Sequence, residues 1–394
     1  MSTMSTMGTM STMTTSTPNN KLASPTRFAG SDSAGSLLLR LARPDDMAAI
    51  FQMAQHAGEG MTTLKPNRAA IEARLDNVVQ TMRGVAPKDR QEYVFVLEDL
   101  ALGKTVGLSG IKSFVGLDQP FYSFRLSTLV HASAQLGVIK SFQTMDMSND
   151  MTGAAELCSL FLLPESRNGF SGRLLSKSRL LFMTLFPDRF PSRVMAEMRG
   201  YQDERGKSPF WEEFARQFFD VEFAVADTLT SEGVKTFIPE LMPRYPIYTN
   251  LLPPSARAVI GEVHRETRPA RRLLEQEGLS YGGYIDIFDG GPQIASETSN
   301  LRMRREAVCL NVVIAEHRSD RSLLVSSTNP ETFTAIVTHG CAANGAICLT
   351  ASEAAALGVG PGGQVAVVPL NPSEPDSQAG LRDAVLFAPA AALC

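Results

Sequence analysis

Residues 157–179 read LCSLFLLPESRNGFSGRLLSKSR, and the order of textures in this stretch decides the fold. An apolar strand stops at Pro164, a loop with Arg167, Gly169 and Gly172 follows, and an amphipathic helix begins at about Arg173. Leu174, Leu175, Ser178, Leu181, Phe182 and Leu185 share one face of that helix. A loop of this kind aims free backbone N–H groups at an anion, and the helix dipole adds to the attraction. Arg167, Arg173, Lys177 and Arg179 are expected to strengthen that field. The arrangement suits a pyrophosphate, and the strand beside it favours coenzyme A over ATP. The loop contains neither a Walker motif nor G-x-G-x-x-G, and connectors of this build also occur without a ligand.

Working outward, Leu37–Arg43 reads as a short strand, and Arg43-Pro44-Asp45-Asp46 opens a helix to about His56. Residues 66–83 form a second helix. Tyr93–Glu98 and Thr105–Val115 are two strands joined by the turn Leu102-Gly103-Lys104. Residues 116–153, rich in Ser, Met and Asp, read as an irregular insert before the central strand and helix, and Val194–Arg199 is a further strand. The order strand, helix, helix, strand, strand, insert, strand, helix, strand describes a mixed α/β layer. Ser208–Trp211 starts a helix ending at Phe218-Phe219, and another at 269–278 precedes a strand at Tyr284–Phe288. From about Arg302, short strands separated by Gly, Pro and Asn turns suggest a small β-barrel or sandwich of about five or six strands.

The domain organisation expected from this is a disordered Met/Ser/Thr-rich tail over 1–36, an α/β domain over 37–300, a small β-rich domain over 301–372 and a loose tail over 373–394. With 394 residues and 44% apolar content the chain can bury a large core. A net charge of −4 supplies no general attraction to nucleic acid or anionic membranes. No apolar run reaches the roughly 18 residues that a membrane helix needs. Cys158, Cys309, Cys341, Cys348 and Cys394 form no Cys-x-x-Cys pair, which argues against a zinc site, and a cytoplasmic location is the default.

Several strings then occur in order: YVFVLED (93–99), PFYSFR (120–125), TLVHAS (128–133), ELCSLFL (156–162), LLSKSR (174–179), AEMRGYQDE (196–204), SPFW (208–211), ELMPRYPIYT (240–249), GEVH (261–264) and YIDIFDGGP (284–292). With them the chain resembles the arginine N-succinyltransferase family from about Leu38 to Leu370, and its order of elements resembles the GCN5-related N-acyltransferase fold. The resemblance implies transfer of a succinyl group from succinyl-CoA to the α-amine of L-arginine, the step that opens arginine catabolism through succinylated intermediates. It implies no permanently bound cofactor and no metal, and a homo-oligomer or a heteromer with a paralogous subunit.

The resemblance also assigns residues. His264 matches the family's proton donor, and Leu160 matches its succinyl-CoA contact. Around Leu160, the expected cofactor-binding set is Phe161, Leu162, Arg167, Gly169, Gly172 and Arg173. Glu156, Asp286 and Asp289 are candidates for holding the substrate guanidinium, and His131 is the second-choice histidine; His56, His317 and His339 have no supporting motif. The loop departs from the family pattern: Phe170-Ser171 stands where Gly-Asn is usual, so the phenyl group either blocks the pyrophosphate or packs beneath the loop. Two alternatives stay open: another acceptor such as ornithine, or a weakly active subunit of a heteromer.

Overall fold

A computed structural model describes residues 36–57, 61–167, 169–316 and 319–372. The tails expected to be loose, apart from Ser36, lie outside the described residues, as do His317 and Asn168. Three antiparallel strands, β1 (Leu37–Leu41), β2 (Glu92–Asp99) and β3 (Lys104–Lys112), open the sheet. Between β1 and β2 the chain forms α1 (Met47–His56) and α2 (Arg68–Met82). Asn67 starts α2 by accepting the Ala70 N–H on its side chain.

Residues 116–153 correct the expectation of an irregular insert. They contain a long hairpin of β4 (Ser123–Ser133) and β5 (Val138–Ser148), in register from Ser123↔Ser148 to Ser133↔Val138. Its outer half is exposed on both faces, so no apolar alternation marks it in the sequence.

Next come β6 (Ala155–Leu162), α3 (Ser171–Leu185) and β7 (Arg193–Glu197). The remaining strands are β8 (Ile247–Tyr248), β9 (Ser280–Ile285), β10 (Pro292–Glu297), β11 (Val308–Ile314), β12 (Leu323–Ser327), β13 (Thr334–Thr338), β14 (Ala342–Ala343), β15 (Ala346–Leu349) and β16 (Gln364–Pro369). All join one sheet in the order β14-β15-β11-β16-β12-β13-β1-β2-β3-β6-β7-β10-β9-β4-β5-β8. The expected barrel therefore needs correction. Its strands pair in line and continue the sheet through β13 and β1, with Leu39 opposite Ala335. Alternating burial identifies such strands, but nothing in it says which neighbour covers the edge.

α3 lies on one face of the sheet, where Phe182 meets Tyr93, Phe95, Phe186, Phe190 and Phe333 at ring separations of 4.8–5.9 Å. α1 and α2 cover the other face through Ile50, Met53, Ile71 and Leu75 against Val94, Val96 and Leu108. Every residue of α3 is buried except Gly172 and Arg173, at its N-terminal end.

Candidate functional site

β6 and β7 run parallel and pair only at Ala155↔Val194 and Glu156↔Met195. Beyond Glu156 the strands separate, leaving one edge of β6 open. On the other edge, the Leu163 N–H bonds to Val106 O, so strand alternation turns the Leu162 N–H and C=O away from β3, into the gap. Leu160 sits next to a bulge at Ser159, where β6 and β3 slip register, and it begins the same open edge. Phe161 instead points into the core beneath α1 and α2.

The start of α3 closes one end of this gap. Leu174 is the first residue to return a helical hydrogen bond, to Phe170 O at 2.8 Å, and no side chain caps the helix. The N–H groups of Ser171, Gly172 and Arg173 are therefore left without a helical partner at this end, the chemistry that suits an anion. Gly169 makes the turn at φ +43°, in the region that favours glycine. A Cβ on Gly172 would find only Leu162 Cδ1, at 3.7 Å, so its absence leaves open space over the gap. The Phe170 ring packs on the main core and meets His339 edge-on at 5.8 Å.

The basic residues divide into two groups. Arg173 is half-exposed at the helix start and makes no ion pair among the described residues. Arg167 is exposed, and its Nε donates to Leu162 O at 3.1 Å while the guanidinium stands over the Phe161 ring. Lys177 and Arg179 are corrections to the expected anion field. Lys177 is fully buried against Glu277 at 2.9 Å, and Arg179 is buried with its donors on the carbonyls of Ser176, Gly110 and Cys158. Their polar helix face is enclosed by the rest of the fold, which no helical periodicity can reveal.

On the opposite lip, the His264 N–H bonds to Arg199 O at 2.9 Å, and Val263 bridges to Gly200. Arg199 lies just past the C-terminal end of β7. Because β6 and β7 are parallel, His264 stands at the same end of the gap as Leu162. Its ring is half-buried, and Nδ1 accepts the Glu266 N–H at 3.3 Å. Burial, then the charges of Arg199 and Arg265, hold the imidazole below its ordinary value against the opposing pull of Glu266.

Of the expected acidic residues, Glu156 is buried on β6 with Lys112 Nζ at 3.8 Å. Asp286 is half-buried, with Oδ1 accepting the N–H groups of Phe288 and Asp289. Asp289 is buried, and its two oxygens accept from Gly200 and Gly291 at 2.7 and 2.8 Å. That geometry gives Asp289 a loop-holding role, with each oxygen already accepting one backbone N–H. Its carboxyl is pushed up to about 8, first by burial and then by Asp286. His131 stands on the exposed part of the β4–β5 hairpin with Tyr248 and Phe142, six residues beyond the last pairing of β4 with β9. His56 is exposed, with Nδ1 on Gln52 O, and His339 faces Ser322.

Glu197 was not among the expected residues. It projects from the end of β7 on the face opposite α3, and Gln293 donates to its Oε1 at 2.7 Å. Burial, then Asp286 and Glu156, raise its carboxyl well above the usual range. The available signal was a single acid ending the apolar run Val194-Met195-Ala196.

The sequence model of a family described as AstA, arginine N-succinyltransferase beta subunit, matches residues 37–303. An arginine N-succinyltransferase of Yersinia pestis (strain Pestoides F) is 46% identical over 333 residues, covering 82% of this chain and 95% of that protein. Another, of Enterobacter sp. (strain 638), is 43% identical over 340 residues, covering 86% of this chain and 99% of its own length. The solved arginine/ornithine succinyltransferase subunit AI of Pseudomonas aeruginosa is similar at a TM-score of 0.78 and 34% identity, covering 86% of this chain and 99% of that one. The chain belongs to the arginine N-succinyltransferase family.

Proposed function

We propose that this chain transfers the succinyl group of succinyl-CoA to the α-amine of L-arginine, giving CoA and N2-succinyl-L-arginine. Family membership supports the reaction. The observation that carries the site is the gap between β6 and β7, with the uncapped start of α3 at one side and His264 at the other. In this reading the Leu160–Leu162 edge pairs with the pantetheine amides. The N-terminal N–H groups of α3, with Arg173 and Arg167, hold the pyrophosphate.

The neutral amine attacks the thioester carbonyl. A C–N bond forms, the C–S bond breaks, and the electron pair leaves on sulfur. Because Nδ1 of His264 accepts the Glu266 N–H, the neutral ring carries its proton on Nε2. That Nε2–H is the donor that meets the departing sulfur. Glu197, with its raised carboxyl, takes the proton the amine must lose, and Asp286 and Glu156 supply negative charge for a cationic acceptor. In this reading the Phe170 ring, packed on the main core, lies beneath the loop, which speaks against the weakly active subunit.

Free thiol release from succinyl-CoA should depend on L-arginine. A panel of ornithine and other amines, crossed with acetyl-CoA, reads the acceptor and acyl preference. Arginine-independent release, or a faster reaction with acetyl-CoA, would overturn the assignment. The family description as a beta subunit supports an assembly of several chains, which light scattering of the purified protein would count.

A second expectation concerns protonation. The His264 ring should titrate below its ordinary value of 6.5 in an NMR pH series. Arg199→Gln removes a charge that disfavours the imidazolium and should move the midpoint upward. A midpoint unmoved by the substitution would separate Arg199 from the histidine.

A further inference from the structure

The open edge of β6 depends on a bulge whose backbone is strained. Ser159 holds φ at +53°, a left-handed conformation that a non-glycine residue keeps only where its surroundings impose it. At the bulge, Ser159 and Leu160 oppose Ser109 alone, with Leu108↔Phe161 on one side and Gly110↔Cys158 on the other. The parallel pairing with β7 ends three residues earlier, at Glu156. A bulge bends its strand, and this one lies within three residues of the place where β6 leaves β7.

Arg74 of α2 is built around this bulge. Its Nη2 donates to Ser159 Oγ at 2.9 Å and its Nη1 to Thr63 O at 2.7 Å, while Nε pairs with Glu92 Oε1 at 2.8 Å. Ser159 Oγ donates onward to the same Thr63 O at 3.2 Å. The side chains of Arg74 and Glu92 are only 16% and 10% exposed, so the ion pair is held in a dry, directional setting. Gly110 makes room for it, since a Cβ there would lie 2.8 Å from Arg74 Nη2 and 3.0 Å from Cys158 Sγ. From the opposite face, Arg179 of α3 reaches the carbonyls of Cys158 and Gly110, at 3.3 and 3.5 Å. Two buried arginines thus grip the bulge from both sides of the sheet.

We propose that Arg74 is a positioning residue for the acyl donor: by fastening Ser159 to Thr63 and Glu92, it keeps the bulge formed and so keeps the Leu160–Leu162 edge free to pair with the pantetheine arm. The inference rests on the acyl-CoA reading of the gap. Arg74 touches neither substrate, so its loss acts on one of them only, through the shape of β6.

Steady-state kinetics of Arg74→Met should show the KM for succinyl-CoA raised by about tenfold, with kcat and the KM for arginine little changed. Glycine adopts the left-handed conformation without strain, so Ser159→Gly placed in the Arg74→Met background should recover most of that loss. A general weakening of the fold would lower the melting temperature and the active fraction without separating the two KM values, and it would not be rescued by removing a side chain. Equal losses in all three parameters, an unchanged KM for succinyl-CoA, or a double variant no better than the single one would each overturn the proposal. If Arg74→Met does not fold, Arg74→Lys is read the same way, because an ammonium cannot span Glu92, Thr63 and Ser159 together. Calorimetry of CoA with the unaltered protein separates the two failures: no binding there defeats the acyl-CoA reading, whereas normal binding with no KM split defeats only the role of Arg74.

Discussion

His264→Ala is expected to lower kcat by about two to four orders of magnitude, with CoA binding measured by calorimetry unchanged. The imidazole is held at the gap by its backbone, whose N–H bonds to Arg199 O, and that bond survives truncation of the side chain. The strand ends on either side of the gap therefore keep their places. On the proposed reading, what disappears is the Nε2–H offered to the leaving sulfur. Without it, charge builds on sulfur with no donor to meet it, and the cost falls on the transition state alone. His264→Gln divides the role further. Its side-chain amide returns a hydrogen-bond donor but cannot carry a proton, so activity above that of alanine would show that donation to sulfur is the larger part. Unchanged turnover in His264→Ala would remove the histidine from the mechanism.

The strand–loop–helix unit at 157–179 is legible because its signals are local: an apolar run, a proline stop, glycines in the loop, and helical spacing in Leu174, Leu175 and Leu181. The open edge of β6 is not local. It arises where pairing with β7 stops, and the two strands lie more than thirty residues apart. Glu197 was missed for a related reason: its raised carboxyl comes from burial and then from Asp286 and Glu156, which reach it through the sheet. Lys177 and Arg179 mislead in the opposite direction. Charged residues on a helix normally face water, but α3 is covered by the sheet on one side and by the helices Arg268–Gln276 and Arg302–Glu306 on others. The C-terminal strands read correctly as strands but not as a barrel, because alternation marks a buried face and is silent about edges. Phe170 was open between two positions, and its packing on the core favours the one beneath the loop.

Glu277→Gln is expected to be the most destabilising single substitution outside the gap, by about 3–5 kcal/mol in denaturant unfolding. The Glu277 carboxylate is fully buried where Lys177 of α3 meets it at 2.9 Å and Arg302 at 2.8 Å. Lys177 also donates to Leu370 O, and Arg302 to Pro369 O and to Glu306. The group therefore ties α3, the end of the helix Arg268–Gln276 and the chain leaving β16 at one point. Burial draws the Lys177 amine below its ordinary value, and Glu277 is the main charge opposing that pull. A neutral amide of the same shape fills the space but leaves two cations facing one remaining carboxylate in a dry interior. The cost comes from that stranded charge and not from a lost contact, which makes the sign of the second substitution predictable. Adding Lys177→Met to Glu277→Gln removes one of the unpaired charges and should recover part of the stability, although it deletes two further hydrogen bonds. If the double variant unfolds more easily than the single one, hydrogen bonding and not charge balance holds this junction together.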